Sequence, residues 1–200
     1  ARDLKVRYRR SAIGFLWTML QPLVMMLILH AVFSRAFHFD VANYPVYALL
    51  GILFWNFFSQ TIVASMNSLR GNASLLQKFP VPRWVFPLAT VLSGVVNLCF
   101  ALVPLFAILV VTRHPLTAAL ALVPVSIGFV AVFTLGIGLL VSPLSVFFAD
   151  VVELVSMLLA MLFYLTPVFY PRGIVPPSAA WLVRANPVGL MLEMFRGPIY

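Results

Sequence analysis

Two carboxylates, Asp150 and Glu153, are the residues of this 200-residue chain whose type and spacing could support catalysis. They are one helical turn apart, and a carboxylate pair inside a membrane protein can relay protons. Acids at the start of a helix also stabilise its dipole, which is the simpler explanation. We therefore predict no catalytic residue, and an intramembrane enzyme using Asp150 and Glu153 remains the alternative from another functional class.

Motifs for nucleotide, metal and acyl chemistry do not occur. The sequence contains no G-x-x-x-x-G-K-[ST], no H-E-x-x-H and no G-x-S-x-G. His30, His38 and His114 lack the spacing of metal ligands. We expect no metal and no cofactor on this chain. The single Cys99 excludes a disulfide framework and is expected to be a small buried residue.

Aromatic residues make up 14% of the chain, and many of them fall near the ends of apolar segments. Such a distribution is typical of the interfacial belt and core packing of a membrane protein, and composition favours this interpretation. The alternative is a path for a sugar polymer, because aromatic faces offer apolar surface to sugar C–H groups without binding them tightly. The candidates for such a path are Trp17, Tyr164, Phe169 and Tyr170.

Long uncharged blocks must position all of these residues. The chain is 63% apolar and 9% charged, and its blocks have about the 20 residues that a helix needs to cross roughly 30 Å of hydrocarbon. They do not alternate polar and apolar residues as barrel strands do, so the sequence predicts an all-α polytopic membrane protein. The predicted spans are 11–33, 47–69, 84–111, 116–141 and 151–168. Gly128, Gly136 and Gly138 are expected to permit close helix approach on the fourth.

Charge predicts the orientation of these spans. The 13 Lys and Arg against five Asp and Glu would suggest nucleic-acid binding in a soluble protein, but here they lie between membrane-spanning blocks. We therefore expect membrane lipids and no nucleic acid as partners. The positive-inside rule places residues 1–10 and 70–83 in the cytoplasm, so that alternation places 142–150 there too and leaves 35–44 and 172–196 outside.

Two flanking regions are expected to lie along the membrane surface. Residues 1–10 can form an interfacial helix, with Arg2, Lys5 and Arg9 on one face, or a merely positive tail. The region after Tyr164 is too rich in proline and charge for a span and too apolar for a solvated loop. It is predicted to form one or two short helices at, or dipping into, the outer interface.

Three stretches, in this order, resemble the membrane subunit of polysaccharide-exporting ABC transporters of the ABC-2 type. They are residues 2–10 with Gly14-Phe-Leu-Trp17 and Gln21-Pro22; residues 71–80 with Pro82 and Arg83; and Thr166-Pro-Val-Phe-Tyr-Pro171 followed by Asn186-Pro187 and Glu193-Met-Phe-Arg196. The resemblance covers nearly the whole chain.

This resemblance implies a homodimer with two ATP-binding cassette subunits, which bind ATP and Mg. It makes the first stretch a cytoplasmic interface helix carrying Arg2, Lys5, Arg7, Arg9 and Arg10. Residues 71–83, the coupling segment, would dock on the ATPase through Gly71, Asn72, Leu75, Leu76, Lys78, Phe79, Pro80, Pro82 and Arg83. Pro167 and Pro171 would frame short helices that close the outer mouth. The family has six spans, so this single domain of residues 1–200, with five, looks trimmed at both ends.

The sequence therefore predicts a multi-pass permease of the bacterial inner membrane. By the resemblance, it would move a lipid-linked polysaccharide, such as O-antigen, capsule or teichoic acid, with energy from ATP hydrolysed on its partner. The closest alternative is an ABC-2 exporter of drugs or small lipids. That protein would share the coupling segment but not the basic start and the aromatic path.

Overall fold

A computed structural model of the protein describes residues 20, 23–24, 27–28, 44–72, 80, 82–111, 118–148, 150–176, 178 and 180–200. Regular structure within these ranges is helical. The α-helices are α1 (Tyr44–Gly71), α2 (Val85–Val111), α3 (Val123–Phe147), α4 (Val151–Leu165), α5 (Ala180–Arg184) and α6 (Pro187–Arg196). Short 3-10 helices cover Ala118–Leu122 and Arg172–Ile174. The prediction of an all-α membrane protein is confirmed.

The three helices α1, α2 and α3 are long and apolar enough to cross a membrane. Helices α1 and α2 match the predicted second and third spans to within three residues at each end. Helix α4 has 15 residues and ends earlier than predicted, because Pro167 disfavours helical backbone at Thr166. Most of the predicted first span, and the whole predicted interface helix, lie outside the described residues.

The predicted fourth span ends in the wrong place. Helix α3 runs through Pro143 to Phe147, so most of the expected link 142–150 is helical. Two polar residues of that expected link, Ser142 and Ser145, are packed within the bundle, since both are buried. The Ser145 hydroxyl lies 2.7 Å from the Ser142 carbonyl oxygen and 3.3 Å from that of Met66 in α1.

Helix α1 forms the centre of the bundle. Of its most apolar 18-residue window, 72% is buried, against 22% and 28% for the windows in α2 and in residues 118–147. It packs against α2, α3, α4 and α6. Phe54, Phe58, Ile62 and Met66 of α1 are almost fully buried in the core. The other long helices turn much of their apolar surface outward, as hydrocarbon-facing spans do.

Glycines allow α1 and its neighbours to approach closely at two points. A Cβ atom on Gly94 of α2 would lie 2.6 Å from the Thr61 hydroxyl, and one on Gly138 of α3 would lie 3.4 Å from that of Ser65. No described neighbour lies within 4 Å of such an atom on Gly128 or Gly136, so the structure shows the predicted close approach at Gly138. The expectation for Cys99 is wrong, because its side chain is exposed on α2.

Hydroxyl side chains inside the helices bond to the preceding turn. Ser65 donates to the Thr61 carbonyl at 2.8 Å, Thr134 to that of Val130 at 2.7 Å, and Thr90 to that of Phe86 at 2.9 Å. Because lipid offers no hydrogen-bond partner, this local pairing satisfies the hydroxyl without a second helix.

Candidate functional site: the link cluster

The link, residues 166–171, leaves the end of α4 and lies against the start of α1. The Thr166 amide and hydroxyl both donate to the Leu162 carbonyl, at 2.9 and 2.7 Å, and close the last turn. The extended backbone of Thr166 then directs the chain away from the helix axis. Thr166, Pro167 and Val168 are buried, although they belong to no regular element. Their carbonyl groups therefore need partners from elsewhere in the fold.

Tyrosine hydroxyls from α1 bind two further carbonyls, in the second half of the link. Tyr44 donates to the Phe169 carbonyl at 2.9 Å, and Tyr47 donates to the Tyr170 carbonyl at 3.0 Å. Within the link region, the Tyr170 hydroxyl donates back to the Tyr164 carbonyl at 2.9 Å. The first turn of α1 thus fixes the second half of the link by hydrogen bonds between groups more than 120 residues apart in sequence.

Arg196, in the last turn of α6, binds the first half of the link. Its side chain is only 5% exposed. One terminal nitrogen donates to the Pro167 carbonyl at 2.8 Å and the other donates to the Val168 carbonyl. The guanidinium carbon lies 3.7 Å from the centroid of the Tyr47 ring, a cation–π contact.

Arg196 is a buried cation. Burial lowers its pKa to about 10, while Tyr47 and Glu193 act in the opposite direction, so the guanidinium stays positively charged at neutral pH. Its buried Nε atom has no hydrogen-bond partner among the described residues. Because a buried charge is costly unless it is well paired, this arrangement depends on both link carbonyls and the Tyr47 ring staying in place.

Gly51 of α1 makes room for the cluster. A Cβ atom there would overlap the Val168 carbonyl and the Arg196 guanidinium. The glycine is required here by close approach of the link to the α1 backbone.

Asn186 joins the link to the start of α6. Its side-chain oxygen accepts from the Val188 amide at 3.0 Å and so caps the helix, with Pro187 in the first turn. Its side-chain amide donates to the Thr166 hydroxyl at 2.9 Å. We call the set formed by Tyr44, Tyr47, Gly51, the link, Asn186 and Arg196 the link cluster.

A continuous row of aromatic rings leads from the core to the link. The neighbouring rings, in order, are Phe133, Phe58, Trp55, Phe163, Phe169 and Tyr170, with centroids 5.2 to 6.0 Å apart. Offset and edge contacts at such distances add to the energy of simple burial. The row therefore ties α3, α1 and α4 to the link.

An apolar cavity of about 320 Å³ lies on another side of the link. Its lining comes from the end of α4, the link, the following loop and α5, and consists of Leu165, Tyr170, Ile174, Val175, Pro176, Leu182 and Val183. The link is thus packed tightly on α1 but has open space beside Tyr170.

The structure places the predicted path and gate residues in different environments. Tyr164 is 70% exposed, whereas Phe169, Tyr170 and Pro171 are half-buried. Pro167 is buried, and its carbonyl accepts from Arg196. Sequence reasoning missed Tyr44, Tyr47 and Gly51. The available signal was a glycine and two tyrosines among the mostly aliphatic residues 44–53 at the start of a span.

The described part of the coupling segment follows α1 directly. Gly71 ends the helix and is exposed, and the Asn72 side-chain amide donates to the Ser68 carbonyl at 2.7 Å. Pro80, Pro82 and Arg83 are exposed before α2 begins. The other predicted site residues lie outside the described ranges; they are Arg2, Lys5, Arg7, Arg9, Arg10, Trp17, Leu75, Leu76, Lys78 and Phe79.

The described residues offer little for catalysis. Among them, no three His, Cys, Asp or Glu side chains lie close enough to hold a metal ion. Asp150 precedes α4 and Glu153 is in its first turn, both exposed, as acids that favour a helix N-terminus do. The side chains of the link cluster form hydrogen bonds to the backbone of the link. The function that this arrangement supports is to hold or release the link.

Known membrane transport proteins are similar to this chain over nearly its full length. Residues 1–200 match the family described as ABC-2 type transporter. The chain is 32% identical to the O-antigen export system permease protein RfbA of Klebsiella pneumoniae, over 98% of this chain and 76% of that protein. It is 30% identical to RfbA of Myxococcus xanthus, over 100% and 77%. The polysialic acid transport protein KpsM of Escherichia coli is 23% identical, over 98% and 77%.

Proposed function

Because the chain belongs to the ABC-2 type transporter family, we propose that it is the permease subunit of an exporter that moves a lipid-linked polysaccharide across the bacterial inner membrane. The observation that carries this proposal is its similarity, over nearly its full length, to relatives named for O-antigen and polysialic acid transport. Three apolar helices long enough to cross a membrane agree with such a role.

Energy would come from a separate ATP-binding subunit, which binds ATP and Mg. In this proposal the permease carries no ATPase site of its own, forms a homodimer and docks on the ATPase through the coupling segment. The support is the position of that segment, which begins at the exposed end of the central helix α1. The permease performs no covalent chemistry. It opens or closes a path according to the state of its partner, which is a coupling between two conformations.

Deleting the gene in its host tests the transported substrate. We expect surface polysaccharide to disappear, lipid-linked polymer to accumulate inside the cell, and a plasmid copy to restore export. Normal surface polysaccharide together with increased drug sensitivity would instead support the drug or small-lipid exporter.

Charging the coupling segment should uncouple export. By their spacing, Leu75, Leu76 and Phe79 would share one face if this segment forms a short helix, so Leu76→Asp is expected to place a carboxylate in the contact with the ATPase. We expect co-purification of the ATPase and surface polysaccharide to fall at least about tenfold, the effect of some 1.4 kcal/mol. Gln77→Asp, with the same charge on the opposite face, is the control. Equal export by both variants would exclude this docking face.

Aromatic residues near the link are proposed to guide the sugar chain. Tyr164 is suited to this because its ring is exposed, while the carbonyl that binds Tyr170 belongs to the backbone and survives substitution. We expect Tyr164→Ala to slow export per assembled complex modestly, since each ring contributes on the order of 1 kcal/mol. Combining it with Tyr170→Ala should slow export more than additively if the rings form one track.

A phenylalanine at position 170 distinguishes the contribution of the aromatic ring from that of the hydroxyl group. Tyr170→Phe loses the bond to the Tyr164 carbonyl but retains the ring, so it should export faster than Tyr170→Ala. Full export per assembled complex by the double alanine variant would leave both residues as interfacial belt groups.

A further inference from the structure

Helix α1 connects the two regions that the proposed function assigns to opposite sides of the membrane. Its first two turns carry Tyr44, Tyr47 and Gly51 of the link cluster, and its last residue, Gly71, begins the coupling segment. With 28 residues it is about 42 Å long, at 1.5 Å per residue. Beyond Pro45 in its first turn it contains no proline, the commonest cause of a kink. The helix is therefore a continuous rod between the two regions.

The link is held to this rod by a buried charge. Arg196 reaches Pro167 and Val168 and lies over the Tyr47 ring, so its guanidinium bridges the link and α1. The contact cannot stretch gradually. Moving the link away would leave a desolvated cation with too few partners, because no residue in the described part of the chain bonds to its Nε atom. Packed groups of this kind favour two discrete arrangements over a continuum.

The surroundings allow one such alternative arrangement. The apolar cavity beside Tyr170 gives the link space to move away from α1. Helix α4, which leads into the link, is less enclosed than α1, since Leu159 is the one buried residue among its fifteen. The attachment to α1 is thus the strongest described constraint on the position of the link.

We propose that Arg196 is a positioning residue that locks the link onto the first two turns of α1, so that a movement of the coupling segment is transmitted along α1 to the link. This inference rests on the proposed function. It assigns to α1 the role of carrying the state of the ATP-binding subunit across the membrane, and to Arg196 the joint at its far end.

A labelling experiment on the full-length subunit and its ATPase partner in lipid nanodiscs tests the inference. Exposed Cys99 is replaced by Ala, a partner without reactive cysteines is used, and Ile174→Cys provides the reporter, because Ile174 follows the link and is 51% exposed. A maleimide labels position 174 without nucleotide and with ATP and vanadate. We expect the labelling rates of the two states to differ about fivefold or more, a typical coupling between sites.

The decisive variant is Arg196→Met, for which we expect nearly equal labelling in both states while the assembled complex still hydrolyses ATP. Arg196→Lys, which keeps the charge and can reach a link carbonyl, should restore part of the difference. The matched control is Arg184→Met, at an exposed position on α5, which should label like the parent. If Arg196→Met fails to assemble, the test uses Arg196→Lys and Tyr47→Phe instead. Tyr47→Phe loses the bond to the Tyr170 carbonyl. For both variants we expect a difference in labelling rate between the two states that is smaller than that of the parent.

Two results would overturn the inference. One is labelling of the parent that does not depend on nucleotide. The other is a difference in labelling rate between the two states that is as large in Arg196→Met as in the parent. If Arg196→Met does not assemble, the same result in both Arg196→Lys and Tyr47→Phe has this meaning. The readout needs no polysaccharide, so a failure to export polymer would contradict the proposed function and leave this result standing.

Discussion

Gly51→Ala is expected to destabilise the assembled subunit by about 3 kcal/mol, at the upper end of the cost of overpacking. The added methyl group would overlap the Val168 carbonyl and the Arg196 guanidinium. Neither group can retreat cheaply, because Val168 is fully buried in the link and Arg196 is 5% exposed. The thermal unfolding midpoint of the purified protein in detergent, followed by the monodisperse fraction after heating, measures the effect.

The chain offers matched controls for this substitution. Gly128→Ala and Gly136→Ala add the same methyl group in α3, where it would meet no atom of the described ranges within 4 Å. They should be neutral, or stabilising by up to about 1 kcal/mol, since alanine is the better helix former. A Gly51→Ala protein that unfolds at the parent temperature would contradict the close approach of the link to α1.

Asn186→Ala is expected to cost about 2 kcal/mol. Roughly 1 kcal/mol comes from the lost helix cap and a similar amount from the broken hydrogen bond to the buried Thr166 hydroxyl. The same unfolding assay applies, and limited proteolysis near the link should accelerate.

Asn186→Asp separates the two contributions of that residue. It keeps an oxygen for the Val188 amide but loses the amide donor to Thr166, so about half of the destabilisation should remain. An aspartate variant as stable as the parent would contradict the contribution of the amide bond to Thr166.

Hydropathy predicted α1 and α2 closely because both lie in uncharged, mainly apolar blocks of spanning length. It failed at the end of α3, where Ser142, Pro143 and Ser145 suggest a link. Serine is a weak guide to a boundary in a membrane helix, because its hydroxyl can pair with a backbone carbonyl and remain buried, as that of Ser145 does. The helix boundary at Phe147 therefore depends on packing against α1.

The candidate site was predictable in part. Resemblance to a family identified the link, Asn186 and Arg196, but not what they bind. Tyr44, Tyr47 and Gly51 meet the link across more than 110 residues of sequence, and such contacts depend on how α1 packs rather than on any local pattern.

The burial of α1 has a consequence for how the protein is made. The most enclosed helix is also the least apolar of the three long ones, and the ribosome completes it before α2 and α3, which cover it. At 5 to 20 residues per second, synthesis from Gly71 to Phe147 takes roughly 4 to 15 s. During that interval the hydroxyl-bearing face of α1 must be sheltered by the insertion machinery or face lipid directly. Membrane insertion should therefore be most vulnerable after α1 leaves the insertion machinery and before α3 is inserted. Substitutions of Thr61 or Ser65 that leave the finished fold stable are expected to lower the yield of inserted protein at that stage.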